Sequence, residues 1–257
     1  MTGNPHATGA VSFIGAGPGD PELLTVRAMR RLQHADIVLH DALGTVQILD
    51  LLPESVRRIN VGKRAGRHAM PQEEINRLLV NLASRGKRVA RLKGGDPVIF
   101  GRLDEEMTAL AEADIPYEIV PGITAASAAA ASAGLSLTMR GVARRVQFVT
   151  GHTRKGEPFD PVAAGLADPA VTSVVYMARG AASAIGTGLI DAGWPGTTPV
   201  LIVASASQPD EVRVVASLNR LKHAVAALPP DAPLVLIVGN IVPGTCARIC
   251  SCELAAH

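Results

Sequence analysis

Two glycine–aspartate loops carry the most distinctive chemistry in the sequence. Gly15-Ala-Gly17-Pro-Gly19-Asp20 follows the apolar run from Val11 to Ile14, and Gly94-Gly95-Asp96-Pro97 follows the run from Val89 to Leu92. Glycines in such turns let backbone approach a ligand closely and adopt positive φ. A G-x-G-x-x-G dinucleotide fingerprint needs glycine where Asp20 stands, and a carboxylate there disfavours a pyrophosphate. A tight turn with no ligand is the plain alternative. Two such loops at strand ends in one half of the chain point to a cleft at the carboxyl edge of a sheet.

Their aspartates suit a cationic or polyhydroxyl ligand better than a phosphate. S-adenosylmethionine, with a sulfonium, an ammonium and a ribose diol, is of that kind. Asp41 closes the strand-like segment from Asp36 to His40. A carboxylate there can accept a proton, although the commoner fate of an isolated aspartate is to cap a helix or turn. Lys63, just past the run from Val56 to Val61, is by default a solvated cation.

The elements that position these residues follow from hydrophobic periodicity. Strands are predicted at 11–14, 36–40, 56–61 and 89–92. A helix is predicted from Pro21 to Gln33, with Leu24, Ala28 and Leu32 on one face. Another opens at Pro71, carries Ile75, Leu78, Leu79 and Leu82, and stops at Arg85-Gly86. A third is marked by Leu103, Met107, Leu110 and Ala111. This alternation predicts a mainly parallel sheet with crossover helices. A small-residue helix from Ile123 to Ala133 follows Pro121-Gly122, and strands are predicted at 146–150, 173–177, 200–204, 212–218 and 234–238. The expected organisation is a tail at 1–10, an α/β domain at 11–122, a second at 123–243 and a cysteine-containing tail at 244–257.

Composition narrows the function classes. Of the 257 residues 47% are hydrophobic and 19% charged, ample for packed cores, and a net charge of +2 with 3% aromatics argues against a base-stacking nucleic-acid surface. Cys246, Cys250 and Cys252 cluster at the end, and the body of the chain has no cysteine, which fits a reducing cytoplasm. Residues 1–10 lack a signal-peptide core, and the run from Ile123 to Met139 is too rich in Ala, Ser and Gly for a membrane span. His68, His152 and the tail cysteines have no paired ligands at metal spacing, so no metal is expected.

The residues together resemble the tetrapyrrole methylases. VSFIGAGPGDPELLT from Val11 to Thr25 is similar to the opening signature of that family. RLKGGDP from Arg91 to Pro97 with IFGR from Ile99 to Arg102 resembles the second signature of its uroporphyrinogen-III branch. VPGIT (120–124), FVTGH (148–152), Tyr176-Met177, KRAGRH (63–68) and PQEEIN (71–76) fit the same pattern, in order and over nearly the whole chain. The resemblance implies two α/β domains of the tetrapyrrole methylase type with the active-site cleft between them, and a homodimer. It implies S-adenosylmethionine as methyl donor and methylation of uroporphyrinogen III at C2 and C7, giving precorrin-2 through precorrin-1. Nothing before Val11 resembles the dehydrogenase–ferrochelatase module of some relatives, so methylation alone is expected.

Carried over by motif, the donor contacts are Pro18, Gly94, Gly95, Asp96, Ile99, Thr124, Ala125 and Met177, with a late one at Ala206 or its neighbour Ser207. Asp41 matches the proton acceptor and Lys63 the proton donor, although Lys63 equally suits pairing with a substrate carboxylate. The substrate bears eight carboxylates, so cations near the matched motifs are expected to meet it: Arg64, Arg67, Lys93, Arg102 and Arg140, with Arg27, Arg91 and Arg144 as further candidates. The chain departs from the family pattern at residues 42–45 (Ala-Leu-Gly-Thr), at Val98, at Leu103-Asp104 and at Met139, where a histidine is usual. The rival readings are a methylase of another corrin intermediate or of RNA, a nucleotide-dependent oxidoreductase, and a non-catalytic ligand-binding module.

Overall fold

Strand β1 (Ala10–Gly15) sends Val11 and Phe13 to one face of a sheet and Ile14 to the other, the two-residue period of a strand covered on both sides. The computed structural model describes residues 9–41, 46–62, 70–153 and 157–243. The chain divides into two units, Met1–Ala125 and Ala126–His257.

In the first unit β1 is followed by α1 (Val26–Gln33), β2 (Ile37–His40), α2 (Val46–Asp50), β3 (Arg57–Asn60), α3 (Gln72–Ser84), β4 (Arg88–Lys93), α4 (Leu103–Glu112) and β5 (Tyr117–Val120). The strands lie in the order β3-β2-β4-β1-β5, and every pairing is parallel. Parallel neighbours need crossovers, which here are mostly helical and cover both faces. Phe13, Leu39 and Val89 pack with Ile75, Leu79, Leu103 and Leu110 on the side of α3 and α4. Ile14, Val38, Ala90 and Leu92 pack with Ala28, Leu32 and Ile48 on the side of α1 and α2. The parallel sheet expected for this half is observed.

Local capping explains one departure. The helix expected from Pro21 to Gln33 is two pieces. Asp20 Oδ1 accepts from the Glu22 amide at 2.8 Å and caps a short 3-10 turn, Pro21–Leu23. Thr25 Oγ1 then accepts from the Ala28 amide at 3.1 Å and starts α1 afresh. Helix α3 behaves as its stripe predicts: Ile75, Leu79 and Ala83 are buried, and the chain turns out at Gly86 with φ 77°.

The second unit contains α5 (Ala125–Ser132), which opens at the boundary, then β6 (Arg145–Thr150), β7 (Val171–Tyr176), α6 (Ala182–Asp191), β8 (Pro199–Ala204), β9 (Val212–Ser217), α7 (Leu221–Ala226) and β10 (Leu234–Val238). Its sheet runs β6-β7-β10-β8-β9 and is mixed: β6 and β7 are parallel, β10 is antiparallel to both neighbours, and β8 pairs antiparallel with β9. Val175, Ile185, Leu189, Ile202, Leu221 and Leu236 form its core. Arg179 ties the layers by donating to the carbonyls of Val225, Pro229 and Ala232. Among the described residues no helix is long and apolar enough to cross a membrane.

Candidate active site

Three glycines bring the carboxyl ends of β1, β4 and β5 together in the first unit. A Cβ on Gly122 would lie 2.3 Å from the Gly95 carbonyl oxygen, and one on Gly15 would lie 2.5 Å from the Gly122 nitrogen. Only glycine permits backbone this close. Gly17 and Gly95 exchange two backbone hydrogen bonds, 3.1 and 2.7 Å, each at positive φ. Asp96 locks the arrangement: Oδ1 accepts from the Val98 amide at 2.9 Å and Oδ2 from the Gly122 amide at 3.1 Å. The space where a Gly95 Cβ would project is open to 4 Å, so the loop offers bare backbone on that side.

Of the expected donor contacts, Pro18, Gly94, Gly95, Asp96, Ile99, Thr124 and Ala125 all sit at this carboxyl edge, in or beside the three loops. Gly94 is exposed, while Pro18, Gly95, Asp96, Ile99, Thr124 and Ala125 are half-buried. A carboxylate beside bare backbone suits an ammonium or a ribose diol. In the second unit Met177 follows β7 directly, 51% exposed and at φ 51°. Ala206 is buried after β8 between Ser205 and Ser207, which hold φ 50° and 60°. The loop around it is pinned by Asp210 accepting from Ser205 Oγ at 3.1 Å and Glu211 accepting from the Ser207 amide at 2.6 Å. Left-handed backbone at non-glycine residues is strained and concentrates at ligand sites.

Next to the glycine contact lies a charge cluster whose membership follows from strand parity. Asp41 continues the alternation of Ile37 and Leu39, and Arg91 and Lys93 continue that of Val89, so all three face the layer of α3 and α4. Arg91 is 2% exposed and Lys93 4%. Arg91 Nη2 donates to Asp41 Oδ1 at 2.9 Å and Oδ2 at 3.2 Å, while Nη1 reaches the Leu92 carbonyl at 3.1 Å. From α4 the wholly buried Glu106 brings Oε1 to Lys93 Nζ at 2.8 Å and Arg91 Nε at 3.3 Å, and Gln72 of α3 donates to the same oxygen at 3.1 Å. Burial, followed by the Arg91 charge, holds the Lys93 ammonium below the ordinary lysine range, and Glu106 opposes that shift.

The expected cations divide into groups. Lys63, Arg64, Arg67 and His68 lie outside the described residues, as do the tail cysteines. Lys93 and Arg91, expected to present charge to an anionic substrate, are instead turned into the first unit and neutralised there, because an unpaired cation at such depth is prohibitively desolvated. Arg102 is exposed and donates to both oxygens of Glu105 at 2.7 Å, and Arg140 is exposed in a turn closed between Met139 and Ala143. His152 is exposed, and among the described residues no group of three or more His, Cys, Asp or Glu is placed to hold a metal.

Sequence reasoning missed Glu106 and Gln72. The available signal was the spacing of Leu103, Glu106 and Leu110, which sets a carboxylate on the buried stripe of α4 opposite a strand reading charged–apolar–charged at 91–93.

Residues 10–222 match the model of the Tetrapyrrole (Corrin/Porphyrin) Methylases. The chain is 51% identical to the uroporphyrinogen-III C-methyltransferase of Paracoccus denitrificans, over 91% of this chain and 81% of that protein. It is 50% identical to the siroheme synthase of Azotobacter vinelandii over 93% of its length, but spans only 51% of that longer protein. The crystal structure of uroporphyrin-III C-methyl transferase from Thermus thermophilus complexed with S-adenyl homocysteine superposes with a TM-score of 0.75 at 39% identity, covering 91% of this chain and 98% of that one. By its glycine-tied carboxyl edge, its paired α/β units and this likeness, the chain belongs to the tetrapyrrole methylase family.

Proposed function

We propose that the protein transfers two methyl groups from S-adenosylmethionine to C2 and C7 of uroporphyrinogen III, forming precorrin-2 by way of precorrin-1. The observation that carries this reading is the bare-backbone edge at Gly17, Gly94 and Gly95 beside the ion-paired Asp41, in a chain 51% identical to a uroporphyrinogen-III C-methyltransferase. When bound, the donor supplies a methyl group on a sulfonium, already activated by its positive charge.

The residues of this chain then have four tasks. Pro18, Gly94, Gly95, Asp96, Ile99, Thr124 and Ala125, with Met177 and Ala206 of the second unit, hold the donor so that sulfur, methyl and the substrate carbon stand in line. Arg64, Arg67, Arg102 and Arg140 meet the substrate carboxylates. As the new carbon–carbon bond forms, the carbon–sulfur pair leaves with the thioether product, and the substrate must lose a proton to regain neutrality. Asp41, oriented by Arg91, receives that proton directly or through water. Lys63 pairs with a substrate carboxylate, its proton-donor role being the alternative. No metal takes part. The working form is a cytoplasmic homodimer, and the methylating domains run 11–122 and 123–243. Its product feeds the class of reactions that oxidise and metallate a methylated tetrapyrrole.

An anaerobic assay with uroporphyrinogen III and S-adenosylmethionine tests the reading. Two added methyl groups by mass, with the absorbance of the oxidised precorrin-2 product, are expected. Tight donor binding with no methyl gain overturns the substrate and directs attention to other corrin-ring intermediates.

A further inference from the structure

We propose that Glu106 is a positioning residue of the methyl-transfer site, seating the Arg91 guanidinium so that one of its nitrogens is presented to Asp41. This rests on the reading of Asp41 as proton acceptor. Glu106 occupies the buried stripe of α4 between Leu103 and Leu110, fully inaccessible, where an apolar residue is the ordinary choice. A carboxylate at that depth is costly unless it is paired and hydrogen-bonded. Through one oxygen it is both, since Oε1 gathers Lys93 Nζ, Gln72 Nε2 and Arg91 Nε within 2.8–3.3 Å, while Oε2 is buried with no hydrogen-bond partner among the described residues.

The consequence for Arg91 is geometric. Its three nitrogens are directed to three different acceptors: Nε to Glu106, Nη1 to the Leu92 carbonyl and Nη2 to Asp41. A planar guanidinium held at three corners cannot swing about its long side chain. Removing the Glu106 contact frees the corner that fixes its tilt.

A second consequence is electrostatic. Among the described residues, the charged and titratable groups around Asp41 are its neighbour His40 on β2, Arg91 and Lys93 on β4, and Glu106 on α4; Gln72 of α3 adds only a neutral amide. Glu106 offsets part of the Arg91 and Lys93 charge, so its removal makes the field at Asp41 more positive and disfavours proton uptake there.

Glu106→Gln and Glu106→Asp are compared with wild type and with Asp41→Asn in the anaerobic methylation assay. Melting temperature and affinity for S-adenosylhomocysteine are measured alongside. Glu106→Gln is expected to lower kcat about tenfold and move the acid limb of its pH profile down by about one unit, with thioether affinity held within about twofold. If Glu106→Gln does not fold, Glu106→Asp keeps the charge but withdraws it from Arg91 by one methylene, and a similar fall in kcat at unchanged thioether affinity is expected. Folded Glu106→Gln, or in its place folded Glu106→Asp, with wild-type kcat and acid limb overturns the proposal. Wild-type kcat in Asp41→Asn overturns instead the reading of Asp41 on which it rests.

Discussion

Arg91 donates one nitrogen to both carboxylate oxygens of Asp41, at 2.9 and 3.2 Å, across the ends of two neighbouring parallel strands. The pairing orients the Asp41 carboxylate and leaves its side chain 36% exposed, against 3% for Arg91. The proposed uptake of a proton from a bound molecule calls for both a carboxylate held in a fixed orientation and one not wholly buried.

Replacing Asp41 with asparagine retains the shape and removes the proton-accepting charge. Methyl transfer is expected to slow by about 100-fold, the lower range for loss of a general base. Thioether affinity measured by calorimetry is expected to stay near wild type, because the proposed donor contacts lie on other loops. A parallel loss of donor affinity would mean that Asp41 serves binding.

The glycine contact makes a stability prediction. In Gly122→Ala the new methyl group meets the Gly95 carbonyl at 2.3 Å and the Gly15 Cα at 2.8 Å, both backbone and unable to move aside cheaply. A loss of about 1–3 kcal/mol in denaturant unfolding is expected, accompanied by weaker donor binding. Gly180→Ala, where nothing lies within 4 Å, is the matched control and is expected to be near neutral.

Met177 tests whether backbone strain is tied to function. It holds φ 51° with its side chain half exposed. Met177→Gly removes strain of about 1–3 kcal/mol and little packing, so the melting temperature is expected to hold or rise. Donor affinity is expected to fall about tenfold from loss of an apolar contact. A clear drop in melting temperature would show that Met177 acts through packing.

A pH prediction comes from the opposite end of the first sheet. Asp36 accepts from the Arg88 side chain and amide, each at 2.8 Å, and the guanidinium, the larger cause, holds its carboxyl below the ordinary range. A carboxyl with a lower pKa folded than unfolded stabilises the protein above its unfolded value of about 4. That stability is lost as pH falls through the folded value. Asp36→Asn is therefore expected to melt lower than wild type at pH 7, and the two curves are expected to converge once the pH has fallen below the lowered folded value. Methylation at neutral pH is expected to be unchanged, because Arg88 begins β4 and the site lies at its far end.

What the sequence made legible was what short-range pattern encodes. The step from Val11–Ile14 into Gly15, and from Val89–Leu92 into Gly94, marked strand ends because apolar and glycine runs meet abruptly. Strand β5 escaped notice: Tyr117 and Ile119 are 41% and 36% exposed on an edge strand with Glu118 between them, so no buried run announces it. Helix α6 was hidden by Gly186 and Gly188 within it. The antiparallel insertion of β10 between β7 and β8 depends on pairing across long stretches of chain. Arg91 and Lys93 were read as facing an anionic substrate because local pattern reports charge, whereas only the packed layer reveals that Glu106 meets them inside.

The strand order has a consequence for how the protein is made. Among the described residues β1 pairs with β4 and β5, so it has no sheet partner in this unit until residues 88–93 leave the ribosome. The backbone contact among Gly15, Gly95 and Gly122 requires a chain grown past residue 122. Until then β1 is an unpaired apolar strand and the carboxyl edge is incomplete. The glycine contact thus closes only when nearly the whole first unit has been threaded out and β1 is enclosed between two strands made long after it.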